Sequence, residues 1–435
     1  MTTRVLAEPQ DLRSGELVLT LIPGRIRQIR FAEGTDARAT RWNALATRPG
    51  ELLNLRDIEQ SLENFKRPAS VDADIRIAPG ELPGESDVII SWKQALPVRL
   101  VLSADDSGSK STGRYLGTAT VGFDHLLTLH DVIYLSATHD LGGRETGGNG
   151  VRSRTAHYSV PFGYWLLGLT ANDYTYRQSV AGINEAYLFS GESQTADLKL
   201  SRLVYRDAVR KTSLTFMGWR RASKSFVDDT EIEIQRRRTA GWEMGAGHRE
   251  FIGSATLDLN LAYRHGTGAA DALPAPEAAA GYGASRVRLV RADAQLALPF
   301  AIGGQSFRYG LAWRAQWNYV PLVPQDRFAI GGRHTVRGLD GENLLSADRG
   351  WLIRNDLGWA LGTSGQALYL GADYGQVGGP SSEFLTGNRL AGMVLGLRGS
   401  YGRFSYDVFA GRALTKPAGF KTADTTAGFN LNASF

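Results

Sequence analysis

The chain has 435 residues, 51 of them glycine and none cysteine, with aromatic residues at 10% and a formal net charge of +5. No apolar run approaches the ~18 residues of a membrane helix, which excludes a helical membrane protein; a slightly negative mean hydropathy still suits a transmembrane β-barrel, whose apolarity sits in every second residue. Without cysteine there is no disulfide framework or thiolate metal site, and a modest charge spread along the chain gives no nucleic-acid patch.

The length suits about two or three ordinary domains, or one large barrel with an appendage. The opening residues, MTTRVLAEPQ, have neither the cationic nor the apolar region of a signal peptide. Segments 4–6 and 16–21 read as the last strands of a small domain, so residues 1–22 are expected to be the remnant of a truncated first domain. Residues 23–95 then read as a compact module. Ile26, Ile29 and Phe31 mark a first strand, and 37–46 a short helix with Trp42 and Leu45 on one face. After Asn54, the residues Leu55, Ile58, Leu62 and Phe65 recur at helical spacing until Pro68 stops them. Segments 71–77 and 88–92 alternate as a hairpin around turn residues 79–84, which completes a β-α-α-β-β order.

From residue 96 to 435 the chain breaks into alternating segments, predicted as strands at 98–104, 114–127, 132–141, 151–160, 164–176, 195–205, 212–222 and 232–248. The series continues at 254–265, 286–300, 306–319, 351–361, 367–376, 390–400, 403–412 and 423–435. About sixteen strands is an even number, as bacterial barrels have. The connections give an independent test. Those after even strands are tight (128–131, 161–163, 207–209, 302–305, 362–365, 401–402). Those after odd strands are mostly longer (142–150, 177–194, 224–231, 266–285, 321–350, 377–389, 413–422). Short periplasmic turns and long outer loops are the asymmetry of outer-membrane barrels, which a soluble sandwich or propeller has no reason to share.

Parity assigns faces. Leu368, Leu370, Ala372 and Tyr374 are expected on the lipid side, sending Tyr369, Gly371, Asp373 and Gly375 to the lumen, since an aspartate facing lipid at mid-depth is costly. In the last strand Ala427, Phe429, Leu431, Ala433 and the terminal Phe435 share the outward parity. Between two such strands lies the long, Gly-rich segment 327–356, with Val336, Arg337 and Gly338 at its tip. Upstream of it Phe307, Tyr309, Leu311, Trp313, Trp317 and Tyr319 share one face; downstream Trp351, Ile353, Leu357 and Trp359 do, with polar Asn355 as the exception. A structureless loop of this length is unusual unless functional, and the flanks point to a barrel with something folded into it.

The β-α-α-β-β module before a barrel of about sixteen strands resembles a POTRA domain. Together with the Val336-Arg337-Gly338 loop and the Gly371-x-Asp373-x-Gly375 strand, it makes the chain similar to the superfamily of outer-membrane insertases and transporters. Within it the match is to the two-partner secretion transporters, and the loop region looks like that of the filamentous haemagglutinin transporters. The terminal Phe435, with Phe429 and Leu431 in register, resembles the assembly signal of outer-membrane barrels.

The resemblance implies that a loop spanning 320–350 enters the lumen and that Arg337 pairs with Asp373. It departs from the family at Leu339, where an aromatic usually follows the motif; at Gly371 the chain has one of the two residues the family allows. It implies further that a large, unfolded, β-rich exoprotein crosses without ATP, its amino-terminal secretion domain recognised by the POTRA domain in the periplasm. Leu55, Ile58, Leu62, Phe65 and the edge near 71–77 are the expected docking residues.

A barrel insertase is the alternative, and a passive porin a more distant one. Neither a catalytic motif nor metal-ligand spacing is found: there is no G-x-S-x-G, no H-E-x-x-H and no phosphate loop, and His125, His130, His139, His157, His248, His265 and His334 are scattered. No cofactor, no metal and no nucleic acid is expected. Arg236, Arg237 and Arg238 read as rim charge, with outer-membrane lipid and lipopolysaccharide as surroundings and a monomer as the working unit.

Overall fold

Residues 4–142, 150–181 and 186–435 are described by the computed structural model, so the tip of the expected loop 142–150 lies outside them. The chain divides into two compact units. The first runs to Arg99 and takes in Gly122–Ile133 and Tyr158–Gly168; the second holds Leu100–Val121, Tyr134–His157 and Leu169–Phe435.

In the first unit β1 (Arg4–Leu6) and β2 (Thr20–Ile22) form an antiparallel pair. A three-stranded sheet follows, built from β3 (Arg25–Phe31), β4 (Val71–Pro79) and β5 (Glu85–Gln94) in the order β3-β5-β4. Helix α1 (Leu55–Phe65) starts where the Asn54 side chain accepts the Arg56 N–H at 3.0 Å, satisfying one of the orphan donors of its first turn. Its Ile58 and Phe65 enter a core with Ile26, Ile29, Val88, Ile90 and Trp92, and Leu62 packs against it. Of the expected docking residues on the helix, Ile58 and Phe65 are therefore core and Leu62 lines it, while Leu55, at 51% exposure, stays on the surface.

The expected helix over 37–46 is absent: the segment is a series of turns, and Trp42 is exposed. Its polar side chains explain why. Arg38 donates to the His125 carbonyl at 2.7 Å, Thr40 to the Thr128 carbonyl at 2.5 Å, and Asn43 to the Leu129 and Pro161 carbonyls at 2.5 and 3.0 Å. Side-chain bonds of this kind offer partners that a regular helix would not reach.

The barrel strands are β6 (Val98–Asp105), β7 (Tyr115–Asp124), β8 (Val132–Gly142), β9 (Gly150–Phe162), β10 (Trp165–Ala181), β11 (Ala186–Arg206) and β12 (Arg210–Val227). The short β13 (Thr230–Glu231) pairs onto β12. Then come β14 (Arg237–Ile252), β15 (Ala255–Thr267), β16 (Arg288–Ile302) and β17 (Gln305–Asn318). In the long loop lie β18 (Phe328–Ile330) and β19 (Leu345–Ala347). The series ends with β20 (Arg349–Ala360), β21 (Gln366–Gly378), β22 (Arg389–Tyr401), β23 (Phe404–Thr415) and β24 (Thr426–Ser434).

Leaving aside β13, β18 and β19, sixteen antiparallel strands close into a barrel among the described residues. Closure is made by β24 against β6, with Leu431 opposite Ala104, and Phe435 exchanges both backbone hydrogen bonds with Leu100 at 3.1 and 2.8 Å. A closed sheet leaves no unpaired backbone edge, the condition for spanning lipid with strands. Exposure follows the expected parity on β21: Leu368 and Leu370 are 37% and 48% exposed, Tyr369 and Asp373 3% and 4%. The Asn355 exception is also accounted for, because its side chain accepts the Tyr309 hydroxyl at 2.6 Å and donates to the Ala372 carbonyl at 3.1 Å.

Two connections differ from expectation. The segment 177–194 was expected as loop, yet β10 runs to Ala181 and β11 starts at Ala186. Likewise β12 continues to Val227, and Glu192 stands opposite Lys224. Strands that rise beyond the bilayer keep their backbone pairing and cross-strand charges but lose the apolar alternation that marks them in sequence.

Candidate functional site

The connection between β17 and β20 is a folded element rather than an open loop. β18 and β19 pair with Phe328 opposite Ala347 and Ile330 opposite Leu345, making a short stalk. Its side chains Phe328, Ile330, Leu345 and Ala347, with Val336 and Leu339 from the tip, bury themselves against Leu352, Val377, Leu390 and Phe420. Leu339, the residue after the motif, is thus accommodated in an apolar cluster at 5% exposure. At the base, the buried Asp348 carboxylate accepts the Leu322 N–H at 2.7 Å and the Ser381 N–H at 2.8 Å, tying both ends of the segment to the loop after β21.

Val336, Arg337 and Gly338 meet the inward face of β20 to β23. Arg337 Nε and Nη2 donate to the two oxygens of Asp373, each at 2.7 Å, and the Arg337 backbone N–H donates to the same carboxylate at 2.9 Å. Nη2 also lies 2.7 Å from Asp356 Oδ1. Two more guanidinium groups flank the acids: Arg354 at 3.7 Å from Asp373 and Arg398 at 3.9 Å from Asp356. Arg337 and Asp373 are 5% and 4% exposed, so this forked pair is little screened by solvent or salt.

The glycines around the tip act as room. Gly338 has a φ of +84°, and a Cβ there would lie 2.4 Å from the Arg412 carbonyl oxygen. A Cβ on Gly392 would lie 1.9 Å from the Arg337 carbonyl oxygen, and one on Gly371 2.6 Å from Arg337 Nη2. A Cβ on Gly375 would lie 3.0 Å from the side chains of both Ile330 and Val336. Gly392→Ala should therefore unseat the tip, because the obstacle is backbone and cannot rotate away. The overpacking should cost the docked tip about 1–3 kcal/mol, and the expected readout is a channel conductance several-fold above wild type with the folded barrel's heat-modifiable mobility retained. Gly378→Ala, with open space around its added Cβ, is the control that should leave conductance unchanged.

The structure thus brings together Val336, Arg337, Gly338, Gly371, Asp373 and Gly375. It places Leu55, Ile58, Leu62 and Phe65 in the first unit, and Phe429, Leu431 and Phe435 on or just after β24, where Phe429 stacks on Tyr115 with centroids 6.0 Å apart. Sequence reasoning missed Asp356, Gly392 and a second anchor. In that anchor Arg333 pairs with Asp106, donates to the Phe429 carbonyl at 2.6 Å and lies 5.1 Å over the Phe409 ring. Asp356 was findable, since it has the inward parity opposite to Trp351, Ile353, Leu357 and Trp359. Among the described residues no group of three or more His, Asp or Glu side chains is placed to hold a metal ion.

A closed sixteen-stranded barrel with an exposed apolar belt, an α+β module ahead of it and a charged loop seated on its inner wall defines an outer-membrane transport barrel. Residues 84–399 match the family described as haemolysin secretion/activation protein ShlB/FhaC/HecB, and residues 25–79 match the POTRA domain. Over its whole length the chain is 40% identical to the outer membrane transporter CdiB-2 of Burkholderia pseudomallei, of which it covers 75%. Among solved structures, CdiB from Acinetobacter baumannii aligns with all of this chain and 78% of its own at a TM-score of 0.88 and 35% identity. CdiB from Escherichia coli aligns with all of this chain and 81% of its own at 0.91 and 25% identity. The chain belongs to the ShlB/FhaC/HecB family of two-partner secretion transporters, and its place is the outer membrane, where it serves exoprotein secretion.

Proposed function

We propose that the chain moves a large, unfolded, β-rich exoprotein from periplasm to cell surface, with the POTRA domain recognising the client and the loop tip keeping the resting lumen closed. The observation that carries this reading is the burial of Arg337 on Asp373 and Asp356, a latch that holds a folded segment across the inner wall. Among the described residues strand β4 pairs with β5 alone, so its other edge is placed to add an extended client segment through main-chain hydrogen bonds. With Ile58 and Phe65 in the core, that edge and Leu55 are the better docking residues. Folding of the client outside biases movement outward, because burial of its core makes return costly. Among the described residues the closed barrel offers no strand edge for a second copy to pair with, and a single chain in outer-membrane lipid is the working unit this reading adopts.

The test is secretion by cells carrying the full transporter and its exoprotein. Arg337→Ala should lower exoprotein in the medium by about tenfold or more at unchanged barrel abundance, the scale of losing one buried charge-assisted contact. Equal secretion by both proteins would remove the latch from the mechanism. A parent that exports nothing and restores assembly of other barrels would make it an insertase.

A further inference from the structure

On the outward face of β16, β17 and β20, near the ends of these strands that lead into long loops, lies a groove of about 450 Å³. Trp313, Trp317 and Trp351 wall it, Ala292 and Ala315 lie opposite each other in its floor, and Arg349 stands at its end. The three tryptophans, the two alanines and Arg349 share the parity of the lipid-facing residues, while the buried Gln316 and Val377 back the groove from the other side: Ala315 is opposite Trp351, and Trp317 opposite Val290. Trp317 and Trp351 are 54% and 38% exposed.

Depth follows from the strand. β17 leaves a tight turn at Gly303 and Gly304, and a tilted strand crosses the apolar core in about 9–11 residues, which puts Trp313 to Trp317 at the boundary of the outer leaflet. An aromatic girdle accounts for tryptophans at this level, but not for a slot between them or for a cation at its mouth. The Arg349 guanidinium lies 4.4 Å above the Trp317 ring centroid, and among the described residues it has no carboxylate partner. Stacking occupies the face of a guanidinium and leaves its in-plane N–H donors free, in the fork that suits a phosphate.

We propose that this groove is a binding site for lipopolysaccharide, one acyl chain of its lipid A lying between Trp313, Trp317 and Trp351 over the alanine floor, and one lipid A phosphate on Arg349. The glycolipid is favoured over other occupants because the groove is apolar along its length and cationic at the headgroup end, and because the phosphate-bearing lipid of the outer leaflet is lipopolysaccharide. A second copy of the chain has no matching anionic feature to offer there among the described residues of the groove.

The experiment uses the full chain purified in detergent, loaded with defined lipid A and examined by native mass spectrometry after detergent exchange. Wild type should retain one lipid A, and Arg349→Glu should retain about tenfold less, the change expected when a charge-assisted phosphate contact becomes repulsive. Ala315→Trp, which fills the floor and keeps Arg349, should lose retention to a similar degree. Ala292→Leu replaces it should that barrel not show heat-modifiable mobility. Lipid A stripped of its phosphates should bind wild type no better than Arg349→Glu binds the intact lipid. Equal retention by wild type and both kinds of variant overturns the proposal, as does one-for-one displacement by phosphatidylglycerol. A dimer that Ala315→Trp abolishes in the absence of lipid A would assign the groove to a second copy instead.

Discussion

Asp373→Ala should open the channel more than any other single change in the lumen. Removing the carboxylate takes both acceptor oxygens from Arg337 and the nearest acid from Arg354, and it leaves a guanidinium that is 5% exposed with Asp356 as its remaining acid among the described residues. Breaking a buried pair by deleting one member costs about 3–5 kcal/mol, because the remaining charge is stranded in a poorly solvated place. The apolar cluster of Phe328, Ile330 and Leu345 with the tip's own Val336 and Leu339 opposes release. Single-channel conductance in planar bilayers should rise in the order Asp356→Asn, Asp373→Asn, Asp373→Ala, since asparagine keeps one acceptor. The double variant Arg337→Ala, Asp373→Ala should be milder than the sum of its parts by about 2–3 kcal/mol, as no orphaned charge remains. Salt separates this pair from a surface one. At about 1 M salt the Debye length falls to about 3 Å, which still does not reach a pair at nine-tenths burial, so wild type should stay closed. If salt alone opens it as far as Asp373→Ala does, the pair is solvent-accessible and the latch is misplaced.

The barrel was legible because lipid imposes a strict two-residue period on each strand, and because tight turns and long loops alternate with it. Leu368, Leu370 and Ala372 could be assigned outward without knowing any contact, and Asp373 followed as inward from cost alone. Where that constraint ends, so did the reading. The upper parts of β10, β11 and β12 carry polar residues on both faces, and backbone pairing leaves no mark on side-chain pattern. The segment 37–46 had helical spacing but spends Arg38, Thr40 and Asn43 on carbonyls far away in sequence, which no local pattern reveals. Asp356 was legible as inward-facing from its parity, but not as a partner of Arg337, because that role depends on a loop side chain arriving from nineteen positions upstream. His125 and His130 looked scattered, because what makes them matter is the company of Trp92 and Phe65, more than thirty residues away.

Those two histidines should make the first unit acid-labile. Both are fully buried within it, and each holds a backbone carbonyl of the irregular segment: His125 Nε2 donates to Arg38 at 3.0 Å and His130 Nε2 to Thr40 at 2.7 Å. His125 Nδ1 accepts the His130 backbone N–H at 2.9 Å, and His130 Nδ1 has no partner. Both rings are therefore neutral, and a second proton has no acceptor to meet in either. Burial against Phe65 and Trp92 pushes His130 down to about 4 from its ordinary 6.5, and burial lowers His125 as well. The neighbouring charges oppose one another: Arg38 bears on His125 and Asp131 on both, while Arg67 donates to the His130 carbonyl at 3.2 Å.

The sign follows from which state binds the proton. The unfolded chain takes it up near 6.5 and the folded unit only near 4, so stability is complete above about pH 7, declines as pH falls through 6.5 and is lost by about 4. For His130 the gap corresponds to on the order of 3 kcal/mol. Asp87, held down to about 2 by Arg27, loses its contribution only at lower pH and does not blur the window. Hydrogen exchange of the whole chain in micelles, corrected for intrinsic rates, should show residues 55–65 and 122–133 losing protection between about pH 7.5 and about pH 5 while β20 to β22 keep theirs. His130→Gln, which can still donate to Thr40 but does not titrate, should flatten most of that dependence. Equal protection at both pH values in wild type would mean that the two rings are already solvated, and that something other than their neutrality holds the turn 125–131 in the first unit.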